Sequence, residues 1–390
     1  MKRRTEDTSP VFVEEKNVRL RVMFFAIALA IAVGAFAFGI YHILHADSGW
    51  TVIEADKGSG LSCADDFVLQ YKLGERNRSA ATERKAIAAA YTRGCVLGWQ
   101  LMTPHASIAD TVNIWWLNHH PNETTQVHPM LYQAMEASLK SGPWLYLGPL
   151  YELADALMAS ESDEEAAAYD PRLDADSHAF REGVMEMILS GDAIALELLG
   201  NDTVRLNVSD EYLAFADNWG VTRFIDFSWQ KNAWITDWIA DMLEEEGYTD
   251  YVLTCRQGFV RGCSEEPFIY QMYAWQNGEL VPNVRIPYSG KVGAVHLRAF
   301  PLETSRSYYV YRSGAIRTLF LSLEDGLDTC SAEQILAFAQ NQSCTEMFLK
   351  MLPLWICDTW TEDMMEILQS LSDVYYLAHS GMYETNAAVP

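Results

Sequence analysis

The sequence predicts an α+β fold with a largely antiparallel sheet, preceded by one N-terminal transmembrane helix. Three observations predict it. Helical and strand-like apolar periodicities arrive mixed rather than in a strict strand–helix repeat. Many of the strand candidates come in hairpin-like pairs between turn signals. Near the N-terminus, Val22–Ile40 runs nineteen residues without a charge.

That uncharged stretch, as a helix rising about 1.5 Å per residue, roughly matches the hydrocarbon core of a bilayer. Tyr41 follows it, where an interfacial ring is favoured. Residues 1–21 hold six basic and four acidic residues, whereas the rest of the chain holds 22 and 49. Positive charge stays on the cytoplasmic side, so the acidic bulk is expected outside. The expected organisation is a cytoplasmic leader (1–21), an anchor (22–44), a polar stalk (45–62), an ectodomain (63–378) and a tail (379–390). The localisation this implies is a single-pass cell-membrane protein with its N-terminus in the cytoplasm. A signal peptide cleaved after Leu44-His45-Ala46 is the alternative.

Phe67–Lys72 reads as a strand and Ala-rich Ala80–Cys95 as a helix. His128–Lys140 places Leu131, Met135 and Leu139 on one helical face. Glu161–Asp176 reads as an acidic loop, and Ser177–Ser190 as a helix. Ala193–Leu199, Val204–Val208 and Val221–Phe227 read as strands. Ile235, Trp238, Ile239, Met242 and Leu243 give the clearest helix, ended by Gly247. Tyr251–Arg256, Phe268–Trp275, Val295–Ala299, Ser307–Tyr311 and Ile316–Leu321 are further strands. Helices near Ser331–Ala339, Cys344–Met351 and Thr361–Leu371 close the chain.

A formal net charge of -25 argues against nucleic-acid binding. There is no nucleophile elbow, no HExxH zinc motif and no phosphate-binding P-loop. His105, His119, His120 and His128 do not place two rings on one helical face beside a carboxylate, so they read as loop histidines. Trp229, Trp234 and Trp238 read as core. The acidic runs Asp163–Glu165 and Glu244–Glu246 read as solvated faces. Among seven cysteines, Cys255 with Cys263 and Cys330 with Cys344 are the nearest in sequence, and connectivity stays open.

Five segments carry a further pattern. Leu101–Asn118 ends in Trp115-Trp116-Leu117-Asn118, followed by the His128–Lys140 helix and Gly148-Pro149-Leu150. Asp226-Phe227-Ser228-Trp229-Gln230-Lys231-Asn232-Ala233 opens the helix that carries Asp237. Later come Thr304-Ser305-Arg306-Ser307-Tyr308, then Ser313–Gly326 with Gly314 and Gly326 at its ends, then Ser343-Cys344-Thr345-Glu346 leading to Phe348 and Leu352. In order and spacing, residues from about Cys63 to Leu371 resemble the FAD:protein FMN transferase family, the ApbE-like flavin transferases. The resemblance implies the two-lobed ApbE-like flavin transferase fold.

It also implies a chemistry: splitting the FAD pyrophosphate and moving FMN to a protein hydroxyl, with Mg²⁺ neutralising the developing charge. Asp237 and Asp325 are the catalytic candidates it implies. Asp226, Lys231, Thr304, Ser305, Gly314 and Gly326 are the flavin-binding candidates. This chain departs from the pattern. Asn232-Ala233 stand in place of the family's Lys-Gly, Leu319 replaces its His, and Phe348 and Leu352 replace its metal-binding Asp and Thr. Phe348 and Leu352 offer no side-chain oxygen, so no metal ligands are assigned, and FAD is the implied cofactor. Lys231, Arg256, Arg306 and Arg317 are candidate cations for the pyrophosphate, and read otherwise as surface cations. The implied function is a membrane-anchored, transferase-like protein whose Mg-dependent transfer is lost or rebuilt, with a flavin or a flavoprotein acceptor as partner. The alternatives are an active transferase with displaced residues and a non-enzymatic cell-surface interaction module.

Overall fold

A computed structural model describes residues 49–56, 62–74, 79–276, 279–301, 307–358, 366, 370, 374–379 and 382–385. The expected anchor at 22–44, the Thr304-Ser305 pair and nearly all of the helix expected at 361–371 lie outside the described residues. Among the described residues, no helix is long and apolar enough to cross a membrane.

The chain divides into two units, residues 1–49 with 73–83 and residues 50–72 with 84–390. In the first, the Glu83 carboxylate accepts a hydrogen bond from the Gly74 amide at 2.8 Å. The second holds the sheets and the cavities.

Its main sheet has eight strands in the order β1 (Gly49–Ile53), β2 (Phe67–Leu73), β6 (Tyr251–Cys255), β7 (Phe259–Gln276), β8 (Glu279–Arg298), β11 (Gln334–Gln340), β12 (Val374–His379) and β13 (Met382–Thr385). From β2 to β13 every neighbouring pair is antiparallel. A smaller antiparallel sheet joins β3 (Thr124–Gln126), β5 (Thr203–Val208) and β4 (Ile194–Gly200). β9 (Tyr308–Val310) and β10 (Ile316–Thr318) form a separate hairpin. The expected mixed, largely antiparallel architecture is therefore present.

Helices cover one face of the main sheet. α8 (Lys231–Glu245) packs on β6 and β7, and α9 (Cys344–Trp355) packs on β8 and against α8. α1 (Ala80–Met102) lies directly on α8. A Cβ on Gly98 would sit 2.8 Å from Ile235 Cγ2, and one on Gly94 equally close to Ile239 Cγ1. Only glycine lets the two helices approach so closely.

The long β7–β8 ribbon serves the other face. Register shifts at Ser264/Phe268 and Gln271/Tyr273 bend it. Met272 and Ile286 thereby join Val252, Val260, Val292, Ala294, Leu336 and Phe338 in one apolar cluster. A buried polar chain holds the ribbon in place. The Tyr270 hydroxyl lies 2.9 Å from His296 Nδ1, His296 Nε2 lies 2.8 Å from Gln334 Oε1, and Gln334 Nε2 donates to the Tyr273 carbonyl. Burial and the nearby Arg298 push the His296 imidazole down to about 3, so it is neutral.

Three expected elements differ. Ser331–Ala339 was expected as a helix, but Gln334–Gln340 is an inner strand between β8 and β12. Six of its seven residues are buried, and a continuous apolar run suits a strand covered on both faces as well as it suits a helix. Val221–Phe227 is not a strand. Its backbone polar groups pair instead with the Asn118 side chain and the Leu145 carbonyl. The acidic loop at 161–176 contains α5 (Asp163–Ala168), capped by Ser162, with Asp163, Glu164 and Glu165 in its first turn. Carboxylates there oppose the positive end of the helix dipole. All seven cysteines are free thiols, so neither sequence-neighbour pair is joined.

Candidate functional site

The site starts from one asparagine. Asn118 lies in the last turn of α2 (Ile114–His119), and its carboxamide bonds both the amide and the carbonyl of Ile225 at 2.9 Å. This side chain stands in for a strand partner and fixes the course of residues 223–226. Asp226 then accepts from the Ser228 amide at 2.7 Å, and Ser228 adopts a left-handed φ of 48°. One 3₁₀ turn, Ser228–Gln230, leads into α8, so Lys231 and Asn232 fall in its first turn.

These residues line a cavity of about 650 Å³, together with Asp66, His105, Asp155, Gln257, Ser307 and Leu319. Arg223 is its central cation. Its Nη1 lies 2.5 Å from Asp155 Oδ2 and 3.5 Å from Asp226 Oδ2, and its Nη2 lies 3.1 Å from His105 Nδ1. A guanidinium can only donate, so His105 Nδ1 accepts and its proton rests on Nε2. Burial, then Arg223, lowers the His105 imidazole below its ordinary range and keeps it neutral. Asp226 is only 2% exposed, and burial pushes its carboxyl up to about 6 despite Lys231.

Two features of the cavity are unspent. Among the described residues, Lys231 makes no ion pair. Asn232 donates through Nδ2 to Gln257 Oε1 at 2.9 Å, yet its buried Oδ1 has no hydrogen-bond partner. An orphaned buried acceptor is costly unless something else satisfies it. A ligand offering an anionic group to Lys231 and Arg223 and a donor to Asn232 would complete both.

The sequence-derived candidates separate. Asp226 and Lys231 meet in the cavity. Asp237 does not line it. It is buried beneath α9, accepting from Arg261 Nη1 at 2.6 Å and from the Cys344 and Thr345 amides at 2.9 and 2.8 Å. Asp325 sits exposed in a turn and accepts from the Leu327 amide. Gly314 turns the β9–β10 hairpin at φ 87° with open space beside it. Gly326, at φ 72°, packs against Leu150 and Met185. Arg317 is held by the buried Asp170 at 2.7 Å, outside this cavity and not as a solvated surface cation. Phe348 and Leu352 are fully buried. Phe348 meets Trp229, Trp234 and Phe259 edge-on, with ring centroids 5.4, 6.1 and 5.3 Å away.

Sequence reading missed the Asp155–Arg223–His105 array. Its members are 68 and 118 positions apart, and no local pattern joins them. The other histidines of the cluster are local. His119 and His120 stack on Trp115 and Trp116, and His128 caps α3 (Pro129–Ser141). Glu244 is no solvated residue either: it receives Arg261, Lys291 and Tyr251.

No family model and no curated protein matches the sequence. Solved structures do match. The ApbE protein of Thermotoga maritima superposes with a TM-score of 0.56 at 12% identity, over 81% of this chain and 93% of that one. The flavin transferase ApbE from Vibrio cholerae gives 0.50 at 12% identity, over 83% and 93%. The fold is ApbE-like. At this identity the likeness concerns architecture alone.

Proposed function

We propose that this chain is a membrane-anchored, extracytoplasmic flavin-binding homologue of the FAD:protein FMN transferases, in which Mg-dependent transfer is lost or rebuilt. The observation that carries the reading is the burial of Phe348 and Leu352, with Phe348 packed edge-on against Trp229. The positions that match the family's metal ligands are 0% exposed and filled by an aromatic cluster. Neither side chain offers an oxygen to a hard cation. Among the described residues, no group of three His, Cys, Asp or Glu is placed to hold a metal. Phe348 and Leu352 therefore do not fit Mg²⁺.

The Lys231 cavity supports flavin binding. Its volume suits a nucleotide-sized ligand. Lys231 and Arg223 would bind the phosphates, Asn232 Oδ1 would accept from a ring or ribose donor, and His105 Nε2–H would donate to an anionic oxygen. The cavity also holds Asp66, Asp155 and Asp226, so Lys231 and Arg223 would have to offset these carboxylates for the phosphate of either flavin.

One observation favours the alternative of a live transferase. A carboxyl titrating near 6, as at Asp226, is suited to proton transfer from an acceptor hydroxyl. Equilibrium dialysis with FMN and FAD tests the binding reading. Stoichiometric binding that weakens at least about tenfold in Lys231→Ala supports it. No binding of either flavin leaves the interaction-module reading. Resistance of the membrane-bound protein to alkaline extraction tests the anchor.

A further inference from the structure

A second cleft, of about 470 Å³, shares no lining residue with the Lys231 cavity. It lies among α4 (Gly148–Ala159), α6 (Ala175–Ser190) and the end of α7 (Asp210–Trp219). Three aromatic rings wall it: Tyr169, Phe180 and Trp219. Phe180 and Trp219 stand 5.4 Å apart at 54°, forming an angled corner rather than a closed stack. Tyr169 is 37% exposed and Trp219 40%, which is unusual for rings that could have been buried in the core.

The charge on the cleft has one sign. Glu152, Asp174 and Asp176 line it, and no lysine, arginine or histidine does. Two of these carboxylates are in structural use. Glu152 holds the Thr222 amide and hydroxyl at 3.1 and 2.7 Å, and Asp174 Oδ1 caps α6 through the Ser177 amide. Their negative charge persists in those roles. Asp176 has no hydrogen-bond partner among the described residues and is exposed.

Aromatic faces and carboxylates both attract cations, and both repel anions. A flavin phosphate is therefore excluded here, and a neutral apolar ligand would leave the charges unused. We propose that this cleft is a binding site for a small organic cation: an ammonium bearing an apolar or aromatic body, its charge toward Asp176 and its body against Phe180 and Trp219. The volume matches one such molecule. The site is independent of flavin binding and stands whether or not that reading holds.

The test titrates the full-length protein with phenyltrimethylammonium by calorimetry, with benzenesulfonate as the charge-reversed control. Saturable binding of the cation is expected, with none of the sulfonate. Trp219→Ala and Asp176→Asn should each weaken it at least about fivefold. Trp219 and Asp176 are both exposed, so both variants are expected to fold, and an unchanged unfolding midpoint checks this. N-acetylarginine amide is run in parallel. Three results would overturn the proposal: no saturation by phenyltrimethylammonium in the millimolar range, equal binding of the sulfonate, or tighter binding of the arginine compound. The last would reassign the cleft to a basic peptide.

Discussion

Arg261 and Asp237 form a buried ion pair, with Nη1 and Oδ1 2.6 Å apart and side chains only 3% and 8% exposed. Asp237 uses its other oxygen on the Thr345 amide, so one carboxylate joins β7 to the N-terminus of α9. This geometry describes a structural bond rather than a group waiting for substrate. Asp237→Ala leaves a guanidinium buried with fewer partners and two helix amides unsatisfied. It is expected to cost about 3–5 kcal/mol. Asp237→Asn, which still accepts from the amides, should cost less. Urea unfolding measures both. Full stability in Asp237→Ala would return this residue to the catalytic candidates.

Two buried groups set opposite pH slopes. His296 is held neutral with its folded value near 3, below the ordinary 6.5. The unfolded chain therefore binds the extra proton between those values, and stability is lost as pH falls from about 6.5 toward 3. The loss is on the order of 5 kcal/mol at most. Asp226 is raised from 3.8 to about 6. Its contribution is full below 3.8 and is lost as pH rises through 6, by up to roughly 3 kcal/mol. Between about pH 4 and 6 the two slopes nearly cancel, so wild-type stability should fall by no more than about 1 kcal/mol on acidification from 7 to 4. Asp226→Asn should gain stability at pH 7 and steepen that fall. His296→Gln should reverse the slope. Thermal melts from pH 4 to 7 resolve all three.

Gly326 is a backbone requirement rather than a ligand contact. Its φ of 72° disfavours any side chain, and a Cβ would lie 2.6 Å from Leu150 Cδ1. Gly326→Ala is expected to cost about 1–3 kcal/mol with flavin affinity unchanged. Melting and dialysis on the same preparation separate the two effects.

A carboxylate introduced at position 348 should not be tolerated. Phe348→Asp places a charge among Trp229, Trp234 and Phe259 with no cation described beside it. It should destabilise by at least about 3 kcal/mol and by more than Phe348→Leu, with no rescue by Mg²⁺. Stabilisation of Phe348→Asp by millimolar Mg²⁺ would mean that a metal site survives there.

Periodicity made the long elements legible. Ile235, Ile239 and Leu243 mark the buried face of α8, with Trp238 and Met242 half-buried beside it, and Leu131 and Met135 mark that of α3. It failed where burial is continuous, as along Ile335–Ala339, because an all-apolar run has no period to read. It failed again at residues 221–227, where the Ile225 amide and carbonyl pair with the Asn118 side chain, over a hundred residues away, instead of with a strand. The site was half legible. Asp226 and Lys231 share one motif, whereas Asp155, Arg223 and His105 converge only through the fold. Asp237 matched the motif's aspartate, but the sequence could not show that Arg261 and α9 claim it.

The most direct test of the account is covalent flavin transfer. The full-length protein is incubated with FAD, Mg²⁺ and an acceptor carrying the flavinylation motif of the family, and denaturing-gel fluorescence reads the acceptor. The account predicts flavin bound to this chain without covalent bonds and an acceptor that stays dark. Robust covalent flavin on the acceptor would contradict the loss of transfer and establish the live transferase instead.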